Sequence, residues 1–430
     1  LKRRKTLVPQ AGVLLTALAS YDFLPQFSAR VRTWFYNPLG VLLAVAVVAM
    51  LCGFFVHPQS FILLGGVGSV IAFGVSWPWL SMRGLRGAIS FGAGRVRESE
   101  SVDVSMALHN RWFWPAWGLF VRGGFDGSAH GSKDASSVAA VPAAPGRTAL
   151  RCEWKFVPRR RGVYPRTAPQ LATGFPFGLW ESRRTIRVES PLLVWPRTLP
   201  VGPVPQVSGE CQLDGNVSRS KVGSNGDVLG VRPYRRGDSP RRIHWGQSAR
   251  HDRLIVCELQ SNARPLVQLI LDADADVHVG AGADSSREWA IRILASLAEG
   301  WLEEGVEVSG LWNDTFIPSS AGAGQARTIL DSLACLPDSS PKLVELLQHP
   351  ACRSFSQGLQ IIVTTDLALA KMGRVHSSED QRWVVLCSRA FDEKVPALDS
   401  LPVKPWLLIE NIDAIGETLR TGWVEARHGS

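Results

Sequence analysis

Two groups of side chains in this sequence have the types and spacing to do chemistry. Asp272, Asp274 and Asp276 alternate at the end of RPLVQLILDADAD (264–276), and a fourth acid, Asp366, stands directly behind LQIIVTT (359–365). Carboxylates gathered behind apolar strands suit a hard divalent cation, Mg²⁺, Mn²⁺ or Ca²⁺. The competing expectation is that these acids form turns and cap the helices that follow. The second group is VRPYRRGDSPRRIHWGQSAR (231–250), which sets seven cationic or potentially cationic side chains against Asp238. His244 and Ser248 lie four apart, the spacing of a base and a nucleophile on one helical face, but no acid is placed there to orient the histidine. One Tyr and one Trp among the cations offer little stacking surface to single-stranded nucleic acid. Asp238 can, however, accept a bidentate pair from Arg235, Arg242 or Arg250. The run is therefore expected to act as an arginine–carboxylate and Trp clamp between domains that also presents a cationic surface to a partner.

The elements that would position these groups alternate in type. After the apolar strand ending at Leu271, SREWAIRILASLAEGWLEEG (286–305) has a helical stripe of Ile291, Leu294, Ala298 and Trp301, with Ser285 or Ser286 placed to cap it ahead of Glu288. Strands are predicted at 306–314, 359–366, 381–388 and 405–411, with a helix at 324–336. Strands alternating with helices predict a parallel sheet covered on both faces, a Rossmann-like α/β domain over 263–426. Ligands of such sheets lie outside the carboxyl ends of the strands, which is where Asp272 and Asp366 fall. No GxxxxGK[ST] or GxGxxG occurs in this region, which removes nucleotide binding by those routes.

Upstream the period changes from 3.6 to 2. SVDVSMALHN (101–110) alternates Val102, Val104, Met106 and Leu108 with polar or small residues, the pattern of a half-buried strand. WGLFVRG, LRCEWKFVPRR, RRTIRVESP and LLVWPR add candidate strands. Together they predict a small β-sandwich-like domain over 97–205, with the Gly, Ala, Ser and Pro-rich stretch 123–149 read as a flexible insert. The Arg-rich motif and its linker, 206–262, join this domain to the α/β one.

Ahead of the β region, PLGVLLAVAVVAMLCGFFV (38–56) and FILLGGVGSVIAFGVSWPWL (61–80) carry no charged side chain. Each is long enough to cross a hydrocarbon core of about 30 Å, and HPQS (57–60) makes them antiparallel, so 37–81 is expected to be a two-helix transmembrane hairpin. Gly65, Gly66 and Gly68 are expected to let the helices approach closely. Lys2, Arg3, Arg4, Lys5, Arg30 and Arg32 precede the pair in a basic segment (1–36), and Arg83, Arg86, Arg95 and Arg97 follow it. Both termini are thus expected on the cytoplasmic side of an inner (plasma) membrane. The formal net charge of +9 is uneven: residues 1–265 are basic and 266–430 carry 13 Lys and Arg against 23 Asp and Glu. That asymmetry suits a lipid surface better than nucleic acid, which is not expected as a partner. The 7 Cys are scattered without a CxxC, so neither a disulfide framework nor a thiolate zinc site is expected.

From Gly226 to Glu258 the text is family-like, at Gly230, Arg232, Tyr234, Gly237, Asp238, Arg242, Ile243, Trp245, Ala249, Arg250, Leu254, Val256 and Glu258. With RRGVY (160–164), PFGLW (176–180) and VWPR (194–197), the chain resembles the bacterial domain of unknown function 58 family over most of 35–410. The resemblance implies a membrane hairpin, a β domain and a von Willebrand factor A-like domain. It marks Arg232, Tyr234, Gly237, Asp238, Arg242, Trp245, Arg250 and Glu258 as the motif residues. Von Willebrand factor A domains hold a divalent ion with an Asp-x-Ser-x-Ser loop, a loop Thr and a distal Asp. By position Asp272 matches the first acid, Asp274 and Asp276 replace the serines, and Asp366 matches the distal acid; Thr315 is the one threonine considered for the loop. The resemblance further implies a non-enzymatic scaffold or adaptor working with a MoxR-type AAA ATPase and other A-domain membrane proteins in assembly of a membrane or periplasmic complex. The alternative is a metal-dependent hydrolase using the four acids.

Overall fold

The computed structural model describes residues 38–125, 137–204, 222–235, 239–240, 243–260, 265–337, 341–355, 358–373, 380–393 and 401–425. The basic segment 1–36 lies outside them, as do Gly237, Asp238 and Arg242 of the arginine motif.

Helices α1 (Pro38–Phe55) and α2 (Ser60–Arg83) form an antiparallel hairpin, and both are long and apolar enough to cross a membrane. The turn between them is tight. Phe54 meets Phe61 edge-on, with ring centroids 5.2 Å apart, and a Cβ on Gly53 would stand 2.9 Å from the Phe61 ring. A larger residue there would have to displace the Phe61 ring. The close packing expected at Gly65, Gly66 and Gly68 is not found there, since a Cβ at any of the three would meet nothing within 4 Å. These glycines face away from α1. The carboxyl-terminal part of α2 is covered instead by the β unit, including Phe177 and Leu179 between two of its strands, with Gly74, Pro78 and Met82 buried.

The β unit begins directly at β1 (Leu85–Phe91), earlier than the expected position 97, and continues through β2 (Arg95–Arg97), β3 (Val102–Asn110), β4 (Ala116–Arg122), β5 (Ser137–Ala144), β6 (Ala149–Phe156), β7 (Gly162–Tyr164), β8 (Gln170–Thr173), β9 (Ser182–Thr185), β10 (Arg187–Val188) and β11 (Leu192–Trp195). Two four-stranded sheets, β10-β1-β3-β6 and β5-β4-β8-β9, and a three-stranded one, β2-β11-β7, contribute to one core. The alternation in β3 is realised: Val102, Val104, Met106 and Leu108 are buried while Asp103 and His109 are exposed. The insert expected to be flexible over 123–149 instead supplies β5, paired antiparallel with β4 from Ala116↔Ala144 to Arg122↔Ser137. Its small side chains conceal the period from a hydropathy reading, yet Val141 and Ala144 pack into the core.

A two-stranded arm, β12 (Val222–Pro233) and β13 (Ile255–Gln260), encloses the short helix α3 (Trp245–His251). The α/β unit follows with β14 (Leu266–Leu271), α4 (Ser286–Glu303), β15 (Glu307–Trp312), β16 (Thr315–Ser320), α5 (Ala323–Ala334), α6 (Leu343–Gln348), α7 (Pro350–Arg353), β17 (Leu359–Thr365), α8 (Asp366–Met372), β18 (Gln381–Leu386), β19 (Leu407–Ile409) and α9 (Ile415–Glu425). Its sheet runs β16-β15-β14-β17-β18-β19, parallel except for the antiparallel edge strand β16. Numbered within the unit this is the doubly wound order 3-2-1-4-5-6. One face packs on α4, α5 and α9 and the other on α6, α7 and α8, so every residue of β17 is buried.

Helix α4 departs from its expected single stripe. Residues 286–298 are buried all round, including Arg287, Glu288 and Arg292. The sheet covers the Ile291, Leu294, Ala298 and Trp301 side, and the β unit approaches the charged side.

Candidate functional site

At the carboxyl ends of β14 and β17, Asp272 and Asp366 hydrogen-bond to separate partners. Asp272 is 1% exposed; its Oδ2 accepts from the Thr364 hydroxyl at 2.7 Å and its Oδ1 from the Asp274 N–H at 3.3 Å. Burial pushes its carboxyl up to about 6, against the opposing pull of those two donors. Asp366 opens α8 and turns toward β18. Its Oδ1 accepts from the backbone N–H of Leu367 at 2.8 Å and of Ser388 at 3.0 Å, and from the Ser388 hydroxyl. Asp274 caps a short 3₁₀ turn by accepting from Asp276 N at 3.1 Å, and Asp276 is exposed. Among the described residues, no group of three or more His, Cys, Asp and Glu is arranged to hold a metal ion. Asp274 is the one of these four acids shown capping a turn.

Three residues around Asp272 escaped the sequence reading. Thr364, not Thr315, is the threonine at its side chain; Thr315 begins the exposed end of β16. The His278 Nε2 lies 3.0 Å from the Asp272 carbonyl oxygen, which can only accept, so Nε2 carries the proton. Its Nδ1 then accepts from Ser286 Oγ at 3.0 Å, while that oxygen accepts from Val279 N at 2.9 Å. Desolvation holds this imidazole neutral, at about 4. The Ser286–His278 pair resembles a nucleophile and base, but Ser286 is wholly buried at 0% exposure, and no substrate can reach it. The pair ties the 272–279 loop to the start of α4.

The acid at the centre of the expected clamp, Asp238, lies outside the described residues; among those described, ion pairs join the β unit to the α/β unit at a seam along α4 and α5. Glu98, just after β2, accepts from Arg292 Nε of α4 at 2.7 Å and from the backbone N–H of Arg161 at 2.7 Å and Arg197 at 3.2 Å. Glu288 of α4 pairs with Arg160 at 3.0 Å and with Arg161, whose Nε donates to the Leu333 carbonyl of α5 at 2.9 Å. Toward solvent, Arg97 pairs with Glu299 and Arg95 with Asp331 at 2.9 Å, and the Trp195 indole donates to Asp331 at 2.7 Å. Each arginine holds its partner's carboxyl below the usual range. A cleft of about 410 Å³ runs along this seam between Trp195 and helices α4 and α5. The signals were present in RRRGVY and in the charges interrupting α4, but nothing in one sequence pairs residues some 130 to 240 positions apart.

Of the family-like motif's described residues, Trp245, Ala249, Arg250 and Leu254 are exposed in the arm and Val256 is buried. β12 and β13 pair with Arg232↔Val256 and Gly230↔Glu258 in register, and the Tyr234 N–H donates to Leu254 O at 2.8 Å. The His244 side chain caps α3 through Gln247 N at 3.2 Å, and buried Ser248 accepts from Ile255 N at 2.9 Å, locking α3 to β13. Asp252 takes the left-handed conformation (φ 54°) that stops the helix. Trp245 is left 68% exposed, near the sequence positions of the exposed Val231 and Leu254 and the exposed cations Arg235, Arg250 and Arg253.

Residues 230–402, the arm and most of the α/β unit, match the family model described as "Protein of unknown function DUF58". No curated protein matches the chain. Among solved structures, the CARDB domain of PF1109 from Pyrococcus furiosus aligns at 9% identity over 26% of this chain and 94% of that one, with a TM-score of 0.18. The Pseudomonas fluorescens alkylpurine DNA glycosylase AlkC aligns at 12% identity over 41% and 52%, TM-score 0.17. The Vibrio harveyi GH20 exo-β-N-acetylglucosaminidase aligns at 6% identity over 69% and 62%, TM-score 0.19. Scores this low carry no functional argument.

Proposed function

From the premise that the chain carries a DUF58 region over residues 230–402, we propose that the protein is a membrane-anchored, non-enzymatic scaffold that offers its arm to a partner. The α/β unit is read as a von Willebrand factor A-like domain, supported by the 3-2-1-4-5-6 order with one antiparallel edge strand. The hairpin α1–α2 is read as spanning an inner membrane with both termini cytoplasmic, supported by the arginines that flank it and the uncharged turn between the spans. The observation that carries the reading is Trp245, 68% exposed on a helix that is capped, stopped and tied to a hairpin. A large aromatic held rigidly in water among cations is the kind of anchor that dominates protein interfaces. The partner this reading takes from the resemblance is a MoxR-type AAA ATPase. The acids at the strand ends, satisfied within the fold, are assigned to loop geometry rather than to hydrolysis.

The test is affinity capture from detergent-solubilised membranes with the full chain and its Trp245→Ala variant. Loss of a captured ATPase from the variant, with unchanged melting, is the expected result. An identical partner set for the two chains would show that the arm is not the docking element.

A further inference from the structure

The β unit carries an aromatic surface that the scaffold reading does not use. Two segments, 111–117 (the β3–β4 loop with the first two residues of β4) and the loop 174–180 between β8 and β9, expose Phe113 (61%), Trp114, Trp117, Phe175, Phe177 (50%) and Trp180 (54%). Soluble surfaces rarely gather so many large apolar side chains. The loops also lie against the carboxyl-terminal turns of α2. The Phe73 ring meets Phe177 at 6.3 Å, and Trp77 meets Trp114 edge-on at 5.9 Å and stacks with Trp117 at 6.4 Å. A Cβ on Gly74 would press on Leu179 at 2.7 Å, so the contact is close.

Helix lengths place this contact at a definite depth. With 18 residues α1 is about 27 Å long, and with 24 residues α2 is about 36 Å. The hydrocarbon core takes about 30 Å, so the end of α2 emerges into the headgroup layer with Trp79, and the rings packed on Phe73 and Trp77 reach from that level to about 9 Å inside it. Cations ring that level. The Arg83 guanidinium covers Trp79 at 3.8 Å from the ring centroid, Arg184 donates to the Met82 and Arg83 carbonyls at 3.0 and 2.9 Å, and the Arg111 N–H donates to Gly84 O at 3.0 Å. Aromatic rings at the acyl boundary with arginines just outside them match an interfacial lipid contact.

We infer that the 111–117 and 174–180 loops are embedded in the same leaflet from which α2 emerges, contacting acyl chains through their rings and anionic phospholipid headgroups through Arg83, Arg111 and Arg184. The inference rests on the spanning reading of α1 and α2. Its consequence is that the β unit stands on the bilayer in a fixed pose instead of swinging on the hairpin.

The test reconstitutes the full chain in vesicles of phosphatidylethanolamine and phosphatidylglycerol, with the photo-crosslinking residue p-benzoylphenylalanine replacing Phe113, Phe177, Val48 or Phe316 in turn. Val48 (59% exposed, in α1) reports the spans and Phe316 (43% exposed, in β16) reports water. Lipid adducts at 113 and 177 should match the yield at 48 and far exceed that at 316. Adducts at 48 with only the 316 background at 113 and 177 overturn the inference and leave the spanning reading intact. No adduct at 48 overturns the spanning reading itself. Protein adducts in place of lipid at 177 overturn the inference by assigning the surface to a second copy. Replacing phosphatidylglycerol with phosphatidylcholine should lower the yield at 113 and 177 but not at 48; an unchanged yield removes the arginine–headgroup contact.

Discussion

Asp272 and His278 are joined through a backbone hydrogen bond yet titrate against each other. The Asp272 carboxyl stands at about 6 in the fold against an ordinary 3.8, so the folded state keeps a proton that the unfolded chain releases. Its stabilising contribution is complete below about pH 4 and is lost as pH rises through 6. His278 is held at about 4 against 6.5, so its contribution is complete above pH 6.5 and is lost as pH falls toward 4. At 1.36 kcal/mol per pH unit each shift is worth at most about 3 kcal/mol, and across pH 4–6.5 the two offset. Each single variant should uncover the other. Melting of Asp272→Asn should fall more steeply than wild type from pH 6.5 to 4, and melting of His278→Gln should rise. One common slope for all three proteins in detergent would refute this coupling. The position of Asp272 behind its strand was legible in the sequence. Its partners were not, because Thr364 lies 92 residues away on a strand that pairs only in the sheet.

Helix α4 shows what changes at the scale of an element. Its apolar stripe predicted a helix over 286–305, and Ser286–Glu303 forms it. Glu288 and Arg292, which lie outside that stripe, are buried against Arg160, Arg161 and Glu98 of the β unit, with side chains of Glu98 and Arg292 only 2% and 6% exposed, while Arg287 donates to the Ala273 carbonyl of its own unit at 3.1 Å. Removing one member of a buried pair strands the other, so Glu98→Ala should cost about 3–5 kcal/mol of stability. The loss also leaves the Arg161 and Arg197 N–H groups without their acceptor. Arg95→Ala, at the solvent-facing rim where its side chain is 53% exposed, should leave melting nearly unchanged. Chemical denaturation of the two variants separates these expectations; equal losses would mean that the seam is not organised by burial.

For the molecule as a whole, the proposed orientation puts the α1–α2 turn outside and the two folded units inside. A His57→Cys variant should therefore react with a membrane-impermeant maleimide on intact cells, whereas the exposed native Cys335 of the α/β unit should react only after permeabilisation. The reverse pattern would invert the topology and remove a cytoplasmic ATPase as partner. The β unit matters here because it touches both ends of the architecture. Its aromatic loops hold α2, and its arginines hold α4 and α5.

Hydropathy and period determined by themselves the two long apolar helices, the alternating β3, the helices and strands of the α/β unit and the acids behind its strands. Each is a local property, since an apolar run or a repeat of 2 or 3.6 residues needs no distant partner to be read. Tertiary structure decided the rest. It made β5 a strand of a run of small residues, joined the β unit to the α/β unit through Glu98, Arg161, Glu288 and Arg292, and turned the carboxylates of Asp272 and Asp366 toward different hydroxyls. Charge pairing and burial depend on which surfaces the folded chain brings within a few ångströms, and that information resides in the packing of whole elements.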